Sequence, residues 1–338
     1  MYPRNAWYVA AWDVEFAREK PEAVVILGEP IVLFRDSQGR LAALEDRCPH
    51  KLAPLSLGRC EGDRLRCMYH GILFDGGGRA VEIPGQDMIP HSLSARSYPV
   101  TVRGTWVWIW MGDAEKVDEA LIPETEALDS PNYLMRHGMI DYDASAHLIC
   151  ENLLDLSHLS FVHENSFGSS ANNEWSNSAP FVTTLDRGVR IGRWIRNRRY
   201  RDGRTVDHWN TYDFLVPGIL TMAGYAFPVG TADGLVGAPE AVAQDDVYSI
   251  TCQAVTPVSE GTARYFFSVG VPRGTDEEAR LEQLFKVTLQ AFAEDKMMIE
   301  AQQKVIAQVP GRNFHPIGSD RATTLYQRVA RKLVKIEG

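Results

Sequence analysis

The stretch "RCPHKLAPLSLGRCEGDRLRCMYHGILFD" constrains this chain more than any other. Cys48 and His50 stand one residue apart, Cys67 and His70 two apart, and sixteen residues separate the pairs. Thiolate and imidazole are transition-metal ligands, and each pair supplies one of each. The chain has five cysteines, Cys48, Cys60, Cys67, Cys150 and Cys252. An odd, sparse set in a long chain is not a disulfide framework. In a reducing compartment the pattern reads as metal-binding. The fold must therefore bring two loops together around one metal group.

Two groups accept such ligands. Zinc takes two sulfurs and two nitrogens in a tetrahedron. A Rieske-type [2Fe–2S] cluster puts two cysteines on one iron and two histidines on the other. CxxC and HxxxH pairs would serve zinc. A Cys and a His from each loop suit a cluster with two chemically different irons, and zinc stays the alternative by ligand type. Pro49 and Gly71 fit tight loops. Cys60, Cys150 and Cys252 read as ordinary small residues.

At 338 residues the chain has room for about two domains. Its 45% hydrophobic and 23% charged residues are ordinary for a soluble globular protein. A net charge of −9 argues against a nucleic-acid partner, which needs a basic footprint. No apolar run approaches the ~18 residues of a membrane span. "MYPRNAWYVAAW" lacks the order of a signal peptide. The expectation is a cytoplasmic protein without a membrane segment.

The first third reads as β. "EAVVILGEPIVLFRD", "GRLAALED" and "GILFDGGGRAVEI" are apolar runs broken by turn residues, and "YPVTVRGTWVWIWMGD" is a hairpin with Arg103-Gly104 at its tip. Trp106, Trp108 and Trp110 alternate, so they share one strand face, which reads as sheet packing. Both metal-type pairs fall in loops of this region, placed so that two loops at one end of a small sheet clamp one cluster. Residues 113–131 are acidic and turn-rich and read as a linker. A helical stretch follows near "ENLLDLSHLSFVH", then β structure from about 180 to 272, then a long helix over "DEEARLEQLFKVTLQAFAEDKMMIEAQQKVI". Strands followed by a long helix predict an α+β second domain. The domains are set at 1–115 and 116–338.

A cluster of this kind moves single electrons, so oxidation of an organic molecule needs a second metal. "ENLLDLSHLSFVHE" offers Asp155, His158 and His163. Mononuclear iron(II) that uses oxygen takes two histidines and one carboxylate on one face. His158 and His163 are five apart and do not align on a regular helix. The helix must end or distort between them, and Ser160 can help. For a distant third ligand the final helix offers Glu294, Asp295 and Glu300. Asp295 has Ala291, Phe292, Met298 and Ile299 at helix-neighbour positions, so it is an acid on an apolar side and needs a partner. Glu294, with Gln290 one turn before it, reads as more exposed.

"CPHKLAPLSLG…CMYHGILFDGGGRAVEIPGQ" resembles the Rieske domain of bacterial Rieske non-haem iron oxygenases. From "NAWYVAAW" to "FAEDKMMIEAQQ" the chain is similar to the vanillate and dicamba O-demethylase branch. Lys51 stands where Arg is usual and Met68 where Pro or Gly is commoner; neither is a ligand. The family's second segment, Asn-Leu-x-Asp-x-x-His-x4-His, is matched at every position. The resemblance implies an N-terminal antiparallel β Rieske domain and a C-terminal helix-grip-like antiparallel sheet with helices. It implies Cys48, His50, Cys67 and His70 around a [2Fe–2S] cluster, His158, His163 and Asp295 around Fe(2+), and Asn152 beside that iron. It makes Asp155 a bridge from His70 of one chain to His158 of its neighbour, which requires an oligomer, by family pattern a homotrimer.

What the resemblance implies functionally is the oxygenase component of a two- or three-component monooxygenase. It would carry out O2-dependent O-demethylation of a methoxylated aromatic acid. Hydroxylation of a ring, aryl methyl or N-alkyl group by the same machinery is the alternative. No GxGxxG follows a strand and no plant-type ferredoxin cysteine run occurs, so NAD(P)H electrons arrive through a separate reductase or ferredoxin. An electron carrier or zinc-stabilised binding protein is the reading from another class, and it has no use for the second site. Trp209, Tyr212, Met222, Tyr225, Phe266 and Phe292 are candidates for an aromatic substrate cavity under the sheet of 205–270. The basic run "LDRGVRIGRWIRNRRYRDGRT" is either a docking face for an acidic donor or two solvated strand faces. Glu151 has no assigned role.

Overall fold

The computed structural model describes residues 2–337 apart from 17–19, 165, 168–173, 201–202, 236 and 244–245. The chain divides into two compact units. One comprises Arg4–Pro123 with Thr256–Ser259, the other Met1–Pro3, Glu124–Val255 and Glu260–Gly338.

The first unit is built from three small antiparallel sheets. β1 (Trp7–Trp12), β11 (Trp106–Trp110) and β10 (Val100–Arg103) form one. β2 (Glu22–Ile26), β3 (Glu29–Arg35), β4 (Leu41–Glu45) and β9 (Ser97–Tyr98) form the second. β5 (Arg59–Glu61), β6 (Arg64–Arg66), β7 (Leu73–Asp75) and β8 (Ala80–Glu82) form the third. The tryptophan stripe is packing, as its alternation predicts: Trp106 lies against Trp12 and Trp110 against Trp7, across the β1–β11 pair. The two Cys/His loops lie at one end of a small sheet, as expected: the first runs from β4 into β5 at Arg59, and the second leaves β6 at Arg66, the residue paired with Arg59, and returns in β7. Cys48 and Cys67 sit in a shared apolar core with Phe34, Leu44, Leu65 and Phe74, and that core ties the two sheets together.

The second unit is one seven-stranded antiparallel sheet with helices. Its order is β12 (Tyr133–Tyr142), β18 (Ala263–Pro272), β17 (Val247–Pro257), β16 (Ile219–Phe227), β15 (Thr205–Leu215), β14 (Gly188–Arg199) and β13 (Phe181–Leu185). Apart from β12 the strands run in sequence order, joined by short connections except for the longer segment 228–246 between β16 and β17. α2 (Ala146–Leu154), α4 (Glu277–Gln308) and α5 (Arg321–Glu337) are the main helices, with a short α1 (Glu126–Asp129) and α3 (Glu174–Asn177). One face of the sheet carries Ile191, Tyr212, Phe214, Leu220, Val255, Tyr265 and Phe267 into a core shared with Ile149 and Leu153 of α2, Phe292 and Ile299 of α4, and Tyr326 of α5.

β12 and α5 add to the elements that periodicity reveals. β12, "YLMRHGMIDY", shows no clean alternation of apolar and polar residues, yet it pairs with β18 over ten positions. α5 buries Ala322, Tyr326 and Val329, spaced four and three apart on one face. Among the described residues no helix is long and apolar enough to cross a membrane.

Candidate metal centres

The first loop is closed by Asp46, whose carboxylate accepts from Ser56 N at 2.6 Å and from Ser56 Oγ at 2.6 Å. Inside it, Cys48 N donates to Ala53 O and Leu52 N to Cys48 O, and Leu52 takes a left-handed φ of 58° to complete the turn. The second loop repeats the pattern: Cys67 N donates to Ile72 O and Gly71 N to Cys67 O. Gly71 has φ 75°, and a Cβ there would stand 2.8 Å from Pro84 Cγ, so glycine is required on two counts. Arg66 pins the loop by donating to Gly71 O at 2.7 Å while its guanidinium pairs with Glu61.

These loops bring the four residues together. The two thiols are buried and within hydrogen-bonding reach of each other. The rings of His50 and His70 are exposed, with centroids 4.6 Å apart and planes at 72°. Burial, with the Cys67 hydrogen bond adding to it and the His50 N–H opposing it, pushes the Cys48 thiol up to about 11. A thiol so placed becomes a thiolate only beside a cation. A sulfur side under protein and a nitrogen side at the surface fit a two-iron cluster better than a single zinc enclosed by four ligands.

The second centre begins where α2 ends. Ser145 caps the helix start with its hydroxyl on His147 N. The backbone turns extended at Asp155 (φ −123°), and a turn of 3-10 helix follows over Leu156–Ser160. The Asp155 carboxylate caps that turn by accepting from Ser157 N at 2.9 Å. The break demanded by the five-residue spacing is therefore present, but Asp155 makes it. Ser160 lies at the end of the 3-10 turn and accepts from Ser176 N.

His158 Nε2 lies 3.5 Å and His163 Nε2 3.3 Å from the same Oδ1 of Asp295. One ligand atom from each of the three residues lies within 4.8 Å of the others. Each imidazole is oriented through its other nitrogen. His158 Nδ1 contacts the Asp155 backbone carbonyl, and His163 Nδ1 lies 2.9 Å from Glu294 Oε2. Both Nε2 atoms are thereby left for a metal, the arrangement in which a ligand histidine gives its second N–H to an oxygen. Asn152 Nδ2 donates to Asp295 Oδ1 at 2.9 Å and lies 3.4 Å from His158 Nε2.

Asp295 is 5% exposed, on an α4 stripe with Leu281, Thr288, Ala291, Phe292 and Ile299. Met298, expected on that side, faces out at 50% exposure. Burial alone would raise the Asp295 carboxyl, but hydrogen bonds and charges from His158 and His163 outweigh it and hold it well below the usual carboxylate range. Desolvation would lower His163; Asp295 and then Glu294 reverse that and raise it. Two imidazole Nε2 atoms, with lone pairs free, facing one buried carboxylate oxygen fit a cation held by two histidines and one carboxylate.

The other acids on α4 have separate work. Glu300 accepts from Asp143 N at 2.9 Å and pairs with Lys296. Glu294 is not the solvated acid its neighbour Gln290 suggests, since besides His163 it takes the Ser166 hydroxyl at 2.6 Å. Periodicity could not show this, because the partners are 131 and 128 residues away. Glu151 accepts from Gln327 on α5.

Of the six cavity candidates, Tyr212, Met222 and Phe292 belong to or pack on the helix-covered core. Trp209 and Tyr225 belong to a cluster with Trp194 and Phe227 on the opposite face, and Phe266, between Tyr265 and Phe267, also points away. Strand alternation sends neighbours to opposite faces. The basic run is no single docking face either. Arg190 pairs with Asp213, Arg198 stacks over Trp175 and Tyr200, Arg193 is buried, and Arg201 and Asp202 lie outside the described residues.

Comparison with known proteins agrees with this geometry. Residues 6–99 match the family model of the Rieske [2Fe-2S] domain. Residues 142–336 match that of the vanillate O-demethylase oxygenase C-terminal domain. The chain is 38% identical to the iron-sulfur subunit of a toluene-4-sulfonate monooxygenase system of Comamonas testosteroni, over 100% of this chain and 98% of that one. It is 32% identical to a vanillate O-demethylase oxygenase subunit of Pseudomonas sp. (strain HR199 / DSM 7063), over 100% and 96%. Among solved structures it is similar to dicamba monooxygenase bound to dicamba, with TM-score 0.85 and 31% identity over 99% of this chain and 98% of that one. The same enzyme has been solved with non-heme iron. With a Rieske [2Fe–2S] domain and an iron-binding oxygenase domain in one polypeptide, the chain belongs to the Rieske non-haem iron oxygenases, as the oxygenase component of a monooxygenase.

Proposed function

We propose that this oxygenase hydroxylates a methyl C–H bond of a small aromatic acid, and that on a methoxy group the outcome is O-demethylation. The overall change balances as ArOCH3 + O2 + 2e⁻ + 2H⁺ → ArOH + HCHO + H2O. The hydroxylated methyl is a hemiacetal, which splits into phenol and formaldehyde. Electrons come from a separate reductase or ferredoxin. The carrying observation is the buried convergence of His158, His163 and Asp295 in a chain that also joins Cys48, Cys67, His50 and His70.

In this reading Cys48 and Cys67 hold one iron of the cluster, and His50 and His70 the other. His158, His163 and Asp295 hold the mononuclear iron, whose chemistry when bound is the activation of O2 for insertion into a C–H bond. Asn152 keeps Asp295 Oδ1 in place, Glu294 and the Asp155 carbonyl set the two rings, and the apolar wall around Phe292 and Tyr212 excludes water. The Asp155 carboxylate accepts from Ser157 N and keeps lone-pair capacity to bridge to His70 of a neighbouring chain, so the working form is an oligomer, by family pattern a homotrimer. A cytoplasmic setting agrees with five unpaired cysteines.

A second reading is hydroxylation of an aryl methyl group on carbon. The 38% identity to the toluene-4-sulfonate system subunit favours it over attack on a ring position or an N-alkyl group. Turnover with a surrogate reductase, NADH and O2 separates the two. Formaldehyde in step with a phenol from 4-methoxybenzoate supports O-demethylation. A benzylic alcohol from 4-toluenesulfonate, with methoxybenzoates inert, replaces it with the second reading. Oxidation of neither class overturns both.

A further inference from the structure

The basic run sends one arginine inward. On β14, Val189, Ile191 and Ile195 face the helix-covered core, and Arg193, alternating with them, shares that face at 3% exposure. A guanidinium has five N–H donors and a fixed charge. Among the described residues Arg193 makes one hydrogen bond, from Nη1 to the neutral Trp175 carbonyl. Burial pulls its pKa below the ordinary value, and Tyr212 and then Asp155 oppose that. A buried cation whose one hydrogen bond goes to a neutral carbonyl is costly and calls for an anion in contact with it.

Directly across the ladder on β15 stands Asn210, 6% exposed, with no hydrogen-bond partner for Oδ1. Opposed residues of an antiparallel pair point to the same side, and Asn210 shares that side with Tyr212 and Phe214. Folded proteins leave few buried polar groups unpaired. A buried cation with one hydrogen bond, opposite an incompletely paired amide, points to a missing polar partner at this place on the sheet.

We propose that Arg193, assisted by Asn210, anchors the anionic group of the substrate, the carboxylate or sulfonate of an aromatic acid. The inference rests on the aromatic-acid reading above and names the residue that selects the acid. Guanidinium and carboxylate or sulfonate oxygens match through two parallel N–H···O bonds. The Asn210 amide supplies a further donor. Tyr212, whose hydroxyl donates to Leu154 O at the end of α2, connects this anchor to the segment that carries His158.

The test is calorimetric binding to anaerobic holoenzyme, with 4-methoxybenzoate and 4-toluenesulfonate against the neutral 4-methoxybenzamide. Wild type should prefer the anions. Arg193→Gln should weaken anion binding by about 10- to 100-fold, the loss of a charge-assisted pair, and collapse the preference over the amide. Arg193→Met, which leaves no buried polar group, should do the same if the glutamine variant fails to fold, and Arg193→Lys should restore part of the preference. Anion preference intact in the folded glutamine or methionine variant would overturn the anchor and leave the aromatic-acid reading standing. A wild type that prefers the amide would overturn both.

Discussion

The two candidate metal centres hold their side chains in opposite ways. In the β unit the cysteines are buried and the histidines exposed, on two short loops with tight internal hydrogen bonds. In the sheet-and-helix unit the carboxylate and one histidine are almost wholly enclosed, with His163 at 2% and Asp295 at 5% exposure, on elements more than 130 residues apart. The difference follows the chemistry. An electron carrier needs one edge near its surface and otherwise a rigid shell. A centre that oxidises a substrate must exclude water while leaving space for a ligand. Local loops satisfy the first requirement, and only a packed core satisfies the second.

The strongest way to break the comparison is to remove one centre and ask whether the other survives. Asp295→Ala should lower iron from about three to about two per chain and cut turnover by more than ~1,000-fold, with the cluster's visible spectrum unchanged. Loss of the spectrum would show that the centres do not fold independently. A smaller effect is expected from Glu294→Gln, which replaces the carboxylate facing His163 Nδ1. Resistance of the mononuclear iron to a chelator should fall by about 10- to 100-fold, while cluster stability is unchanged.

Titration sharpens the contrast further. In iron-depleted protein the lowered Asp295 pKa adds stability that is present above its ordinary value of 3.8 and lost as pH falls through the depressed one. The raised His163 pKa adds stability that is complete below 6.5 and lost as pH rises through the raised value. Melting temperature against pH should therefore peak between these limits and fall on both sides, and Asp295→Asn should flatten the curve. A wild-type curve as flat as the variant's would remove the coupling. The smallest effect belongs to the surface of the cluster. Tyr69, exposed and 4.1 Å from the His70 ring, should tolerate Tyr69→Ala within about 0.5 kcal/mol by denaturant titration. A loss above ~2 kcal/mol would mean that this edge is not free surface.

Much of this is legible in one dimension. Close spacing exposes Cys48, His50, Cys67 and His70, because ligands on tight loops must be sequence neighbours. The five-residue interval between His158 and His163 predicts a broken helix, and the structure has one. Asp295 stands out as an acid among apolar helix neighbours. What stays hidden depends on distance along the chain. Glu294 reads as solvated because its partners His163 and Ser166 are remote, and Arg193 reads as one more charge in an exposed run.

The sequence by itself determined which atoms are available to bind metal, where the chain turns from β units to sheet and helix, and what family the protein belongs to. Those depend on residue type and local spacing, which survive in the linear order. Only the tertiary structure decided that a buried core shared by two sheets holds the Cys/His loops together, that α4 returns beside the His158–His163 pair, and that Arg193 and Asn210 face inward together. Such contacts depend on strand register and on which face each side chain takes, and a shift of one residue would reverse them.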